Sequence, residues 1–203
     1  MKSTESTQVL TQHIITNTMA NHVYTYVEVE SDNPKVFKKL KEIFPESDTW
    51  EQWRDGMYLH NKLYGEAEYD RSEFTDRMGA KWAYVEEIDA DDDYFTLSTE
   101  SAWYYIEGAI EQLHHILSEI DEKVLVKFTF DDESPSQPLG GGAVYMGELC
   151  CNDEVFDSPD EDDFDTEEEY DEAMDRYWEE QVEKKTDLQQ EAIDYLIEEY
   201  KED

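Results

Sequence analysis

The apolar residues of this chain change period in a fixed order, and that order restricts its fold more than any other feature. A period of two marks strands and a period near 3.6 marks helices. His22 to Glu30 alternates: Val23, Thr25, Val27 and Val29 take one face, and Tyr24, Tyr26, Glu28 and Glu30 the other. Asn33-Pro34 then opens a helix, with Asn as N-cap and Pro at the first helical position. Val36, Phe37, Leu40, Ile43 and Phe44 keep helical spacing, Lys35, Lys38, Lys39 and Lys41 fill other positions, and Pro45 stops the helix. Ala80 to Ile88 reads as a strand with Ala80, Trp82, Tyr84 and Ile88 on one face and Lys81, Ala83, Val85 and Glu87 on the other. The acidic turn Asp89 to Asp93 joins it, as a hairpin, to a strand over Tyr94 to Thr99. Trp103 to Ile120 reads as a helix with Ile106, Ile110, Leu113, Leu117 and Ile120 on one stripe. Val124, Val126, Phe128 and Phe130 then alternate with Leu125, Lys127, Thr129 and Asp131 in a further strand. Asp131 to Gly142 reads as a loop, followed by short strands at Ala143 to Met146 and Glu148 to Cys151.

This order, βαββαβ with a terminal hairpin, predicts an α+β protein with a ferredoxin-like antiparallel sheet and helices on one face. The domain is expected over residues 19–151, behind a disordered polar extension at 1–18. An aromatic-rich excursion at 46–78, carrying Trp50, Trp53, Tyr58, Tyr64, Tyr69 and Phe74, is expected to hold one or two short helices.

Composition shifts near Asn152. Residues 152–203 hold 24 acidic and 4 basic residues, within a chain of 54 acidic and 16 basic residues and net charge −38. Residues 153–169 are nearly a polyanion, yet Thr166-x-x-Glu169 is a capping-box pattern. Tyr170, Met174, Tyr177, Trp178 and Val182 follow at helical spacing, and a second such pattern, Thr186-x-x-Gln189, precedes Leu188, Ala192, Tyr195 and Leu196. The expectation for 152–203 is an acidic linker and then two helices or one bent helix, docked on the domain or open to a partner.

Four pieces of sequence carry a family resemblance: Met19-Ala20-Asn21-His22-Val23-Tyr24, Gly79-Ala80-Lys81-Trp82, Ser101-Ala102-Trp103, and Asp131-Asp132-Glu133 leading to Gly142-Ala143-Val144-Tyr145. Over roughly 19–151 the chain resembles the Api-type ferredoxin-like domain family of bacteriophage proteins, whose function is unknown. The resemblance implies the fold and a phage setting. It brings no catalytic residue.

No constellation for catalysis stands out, and neither an enzymatic activity nor a cofactor is expected. Asp89, Asp91, Asp93 and Glu100 match EF-hand positions 1, 3, 5 and 12, but Tyr94 stands where the sharp turn needs Gly, which leaves a weak cation candidate. His114 and His115 are neighbours about 100° apart on a helix and cannot chelate together. Gly140-Gly141-Gly142 lacks the Lys-Ser/Thr and following helix of a phosphate loop and reads as a flexible link. Cys150 and Cys151 are adjacent, so they form no disulfide framework, and negative surroundings disfavour a thiolate. No apolar run reaches the length of a membrane span, and a cytoplasmic location is expected.

The charge remains. A small domain needs a net charge of only about 2 to 8 in magnitude for solubility, and −38 far exceeds that. Such a chain repels nucleic acid and anionic membranes and attracts basic partners. The expected function is non-enzymatic binding, with inhibition, of a basic nucleic-acid-binding host protein by mimicry of DNA phosphates. Its candidate residues are Asp160, Glu161, Asp162, Asp163, Asp165, Glu167, Glu168, Glu169, Tyr177 and Trp178. The alternative is a phage accessory or assembly module whose acidity serves solubility only.

Overall fold

Six segments alternate at period two or pair as strands, and all pair antiparallel into one sheet. The computed structural model describes residues 21–65, 71–133, 138–155 and 157–201; the extension expected at 1–18 lies outside them. The strands are β1 (His22–Glu30), β2 (Ala83–Ala90), β3 (Phe95–Ala102), β4 (Leu125–Asp132), β5 (Pro138–Tyr145) and β6 (Glu148–Val155). Their order across the sheet is β2-β3-β1-β4-β5-β6.

The helices are α1 (Pro34–Ile43), α2 (Trp50–Trp53), α3 (Tyr58–Tyr64), α4 (Arg71–Met78), α5 (Glu107–Ser118) and α6 (Glu167–Glu199). Helix α1 begins as its residues dictate: the Asn33 side chain accepts the Lys35 N–H at 3.1 Å, and Pro34 follows. Val36, Phe37, Leu40 and Ile43 turn inward. The described residues of the excursion form three short helices rather than one or two. The excursion is part of the core, since Tyr58, Leu59, Leu63, Phe74 and Met78 are buried with α1, α5 and one face of the sheet. The Tyr64 hydroxyl lies 2.6 Å from the Arg77 carbonyl oxygen and 2.7 Å from that of Gly108, which ties α3 to α4 and α5.

Val23, Thr25, Val27 and Val29 of β1 face that core, and Tyr24 and Tyr26 face away. Strand β2 departs from the expected alternation. Val85 pairs with Thr99, Glu87 with Ser98 and Ile88 with Leu97, so Glu86 is an extra residue in a β-bulge. The bulge returns Ile88 to the core side with Ala83 and Val85, not to the face of Tyr84. Helix α5 starts later than its stripe suggests. Ser101 and Ala102 finish β3, and Trp103 takes a left-handed φ of 74° before the helix begins.

Two further expectations are corrected. Gly140-Gly141-Gly142 is the middle of β5, paired to Phe130, Thr129 and Phe128 on β4, not a flexible link. The composition shift at Asn152 falls inside β6 rather than opening a linker, and of the two alternatives for the C-terminal segment, two helices or one bent helix, the chain forms a single helix of 33 residues. Thr186 lies within it, and its hydroxyl donates back to the Val182 carbonyl at 2.9 Å instead of capping a new helix. Helix α6 docks on the sheet face opposite α1 and α5. Ile193 and Leu196 pack there on Leu125 and Ala143, beside Tyr145 and Cys150. The result is three layers over β4-β5-β6, while Tyr24 and Tyr26 of β1 stay 43% and 42% exposed on the α6 side.

Candidate functional site

Helix α6 concentrates the charge. Thr166 caps it, its hydroxyl accepting the Glu169 N–H at 3.2 Å, and Glu167, Glu168 and Glu169 fill the first turn, where the helix dipole favours carboxylates. Its inward side is set by Ala173, Tyr177, Gln181, Leu188, Ala192, Ile193 and Leu196. Every third or fourth residue on the opposite side is acidic. Glu168, Glu172, Asp175, Glu179, Glu183, Asp187, Glu191, Asp194 and Glu198 are all exposed and form one continuous row.

Fourteen of the 33 residues of α6 are Asp or Glu. At 1.5 Å per residue the helix runs about 50 Å, so it carries a carboxylate about every 3.5 Å. One DNA strand carries a phosphate about every 3.4 Å along its axis. Only Arg176, Lys184 and Lys185 oppose them on the helix, and both lysines are committed to the sheet. Lys184 Nζ lies 2.6 Å from Glu154 Oε2, and Lys185 Nζ lies 2.5 Å from Asp131 Oδ1. Their charge therefore offsets β-strand carboxylates rather than the outer row.

The residues singled out from sequence fall into two groups. Asp160, Glu161, Asp162 and Asp163 are exposed at a single 3₁₀ turn, where Asp160 accepts the Asp162 N–H at 3.1 Å. Asp163 and Asp165 join Glu169, Glu172, Phe164 and Arg176 around an open depression of about 420 Å³ at the head of α6. Trp178 is exposed, but Tyr177 is buried, a correction to its place among surface candidates. Gln181 Nε2 donates to the Tyr177 hydroxyl at 2.6 Å, and burial pushes that phenol above its ordinary pKa. The remainder of the carboxylate row, from Glu172 to Glu198, went unmarked because its spacing becomes a row only once α6 is one helix.

Asp89, Asp91, Asp93 and Glu100 do not converge. Asp91 and Asp93 lie at the hairpin, whereas Glu100 stands on β3 opposite Tyr84 and Tyr24, bound to His22 and Arg54. Asp89 hydrogen-bonds the Tyr94 hydroxyl, which helps raise that phenol to about 12. Among the described residues no three His, Cys, Asp or Glu side chains come together as a metal site would require. Cys151 is half-buried against Tyr105, and desolvation pushes its thiol up to about 11, so it holds its proton at neutral pH. No helix among the described residues is long and apolar enough to cross a membrane.

No family model, curated protein or solved structure matches this chain. The likeness to the Api-type family therefore rests on the sequence motifs alone.

Proposed function

We propose that the chain is a non-enzymatic, phage-encoded protein whose α6 surface occupies the basic groove of a host nucleic-acid-binding protein and so blocks it. The observation that carries this is the exposed acidic surface of α6, whose fourteen carboxylates, taken together, have an average axial spacing close to the phosphate spacing of one DNA strand. A helix fixed on a sheet presents its charges in one geometry, so little order is lost when a partner binds. We read β1, α1, β2, β3, α5 and β4 as the ferredoxin-like unit, supported by the strand order β2-β3-β1-β4, with β5 and β6 as the platform for α6.

The test is capture from bacterial lysate at 50 and 500 mM salt, followed by elution with duplex DNA. Captured proteins should be basic, should elute with DNA, and should bind at least about tenfold more weakly at high salt. A variant with Glu172→Gln, Glu179→Gln, Glu183→Gln and Asp187→Asn should keep its fold and lose most of the capture. Partners that are not basic, or capture unchanged in this variant, would sink the proposal. The accessory-module reading is favoured by Trp50 and Trp103, which are 59% and 48% exposed. On that reading, capture survives both high salt and the charge variant.

A further inference from the structure

The face of the sheet that α6 leaves open carries a second surface, distinct from the carboxylate row. Tyr24 and Tyr26 alternate on β1 and point the same way, about 7 Å apart along the strand. Across the sheet the register is Tyr84 on β2, Glu100 on β3, Tyr24 on β1 and Asp131 on β4. Tyr24 therefore stands between carboxylates on both sides, and Tyr26, two residues along the strand, lies between Ser98 and Thr129. Burial, and after it the charges of Glu100, Glu133, Glu86 and Asp131, raises the Tyr24 phenol above its ordinary pKa.

The same face already holds one guanidinium. Arg54, just after α2, places its Cζ 5.3 Å from the centre of the Tyr84 ring and 5.6 Å from that of Trp50. Its Nη1 pairs with Glu86 and lies 3.5 Å from Glu100 Oε2. A planar cation on an aromatic face with carboxylates at its edge is the arrangement that distinguishes arginine from lysine. Tyr24 has the same neighbours in kind: Glu100 is directly across on β3, and the Glu133 carboxylate is near enough to accept the His22 N–H at 3.2 Å. Its ring has no cation on it among the described residues. The flank toward α6 continues the surface. Lys185 reaches Asp131 on β4, and helical spacing puts exposed Val182 and Trp178 three and seven residues before it on the same side.

We propose that Tyr24 and Tyr26, with Glu100, Asp131 and Glu133, form a docking surface for arginine side chains of a basic protein partner. The proposal concerns a different surface from the α6 row and stands whether or not α6 mimics nucleic acid.

The experiment titrates the full chain with octa-arginine and octa-lysine peptides at 150 mM salt by calorimetry, and reads the ratio of their affinities. Both peptides meet the general charge equally, so the ratio isolates guanidinium recognition. Octa-arginine should bind at least threefold more tightly. The ratio should fall to about one in Tyr24→Leu/Tyr26→Leu, and it should survive in Tyr24→Phe/Tyr26→Phe, which keeps the rings and guards against loss of fold. The α6 variant with Glu172→Gln, Glu179→Gln, Glu183→Gln and Asp187→Asn should weaken both peptides and leave the ratio unchanged. The proposal is overturned by equal affinities in the native chain, by a ratio that persists without the rings, or by a ratio lost in the α6 variant. A face covered by residues 1–20 would also overturn it, and shows as a preference that appears only when those residues are deleted.

Discussion

Gly141 links the sheet to α6 more directly than any other residue. A Cβ there would lie 2.5 Å from the Lys185 carbonyl oxygen and 2.6 Å from the Gln189 nitrogen. The helix backbone can therefore rest on the strand only because position 141 has no side chain. Gly141→Ala should cost about 2 kcal/mol by overpacking, measured by urea unfolding, with the loss concentrated in amides of α6 under hydrogen exchange. The same residue explains why the sequence misled. Three glycines in a row advertise a loop, whereas the reason for this one lies more than forty residues away, in α6. The β2 bulge was hidden for a related reason. Glu86 and Glu87 are both acidic, so nothing marks Glu86 as the extra residue, and a one-residue slip moves Ile88 to the opposite face. Where side chains alone decide the face, as with Val23, Val27 and Val29 or with Val36, Phe37, Leu40 and Ile43, periodicity was enough.

Among the elements, α6 is where legibility and function meet. Its stripe was visible but appeared broken at Thr186, because a Thr-x-x-Gln pattern serves a helix start and a helix interior equally well. Docking on Leu125, Ala143 and Gly141 outweighs the weak preference of Thr for a cap. The true cap is Thr166. Thr166→Ala should weaken the first turn by about 1 kcal/mol. The checking measurement is hydrogen exchange at Glu169 and Tyr170, which should speed up roughly fivefold while the amides after Leu188 stay unchanged. Of the candidate site, the acidic head of the helix was readable from composition. The row beyond it depends on helix continuity, and the arginine-binding face depends on cross-strand neighbours that no linear spacing reveals.

At the scale of the molecule, a net charge of −38 works against compactness. The few cations are used against this inside the fold: Lys127 bridges Glu28 at 3.5 Å and Glu30 at 2.5 Å, Lys62 bridges Asp48 at 2.5 Å, and Arg54 joins Glu86 and Glu100. The outer surface keeps its repulsion. Raising NaCl from 10 to 500 mM should therefore stabilise the protein by about 2 kcal/mol, or about 4 to 8 °C in Tm. Thermal unfolding at constant pH reads it, and a Tm that falls with salt would show that the internal ion pairs outweigh the surface.

Among the described residues the sheet ends in two unpaired edges, β2 and β6, each a template on which another chain could add as a strand. Both are guarded. The bulge at Glu86 breaks the hydrogen-bonding repeat of one, and Glu148, Asp153 and Glu154 line the other. Charge that advertises the protein to cations thus also works against edge-to-edge pairing of its own copies.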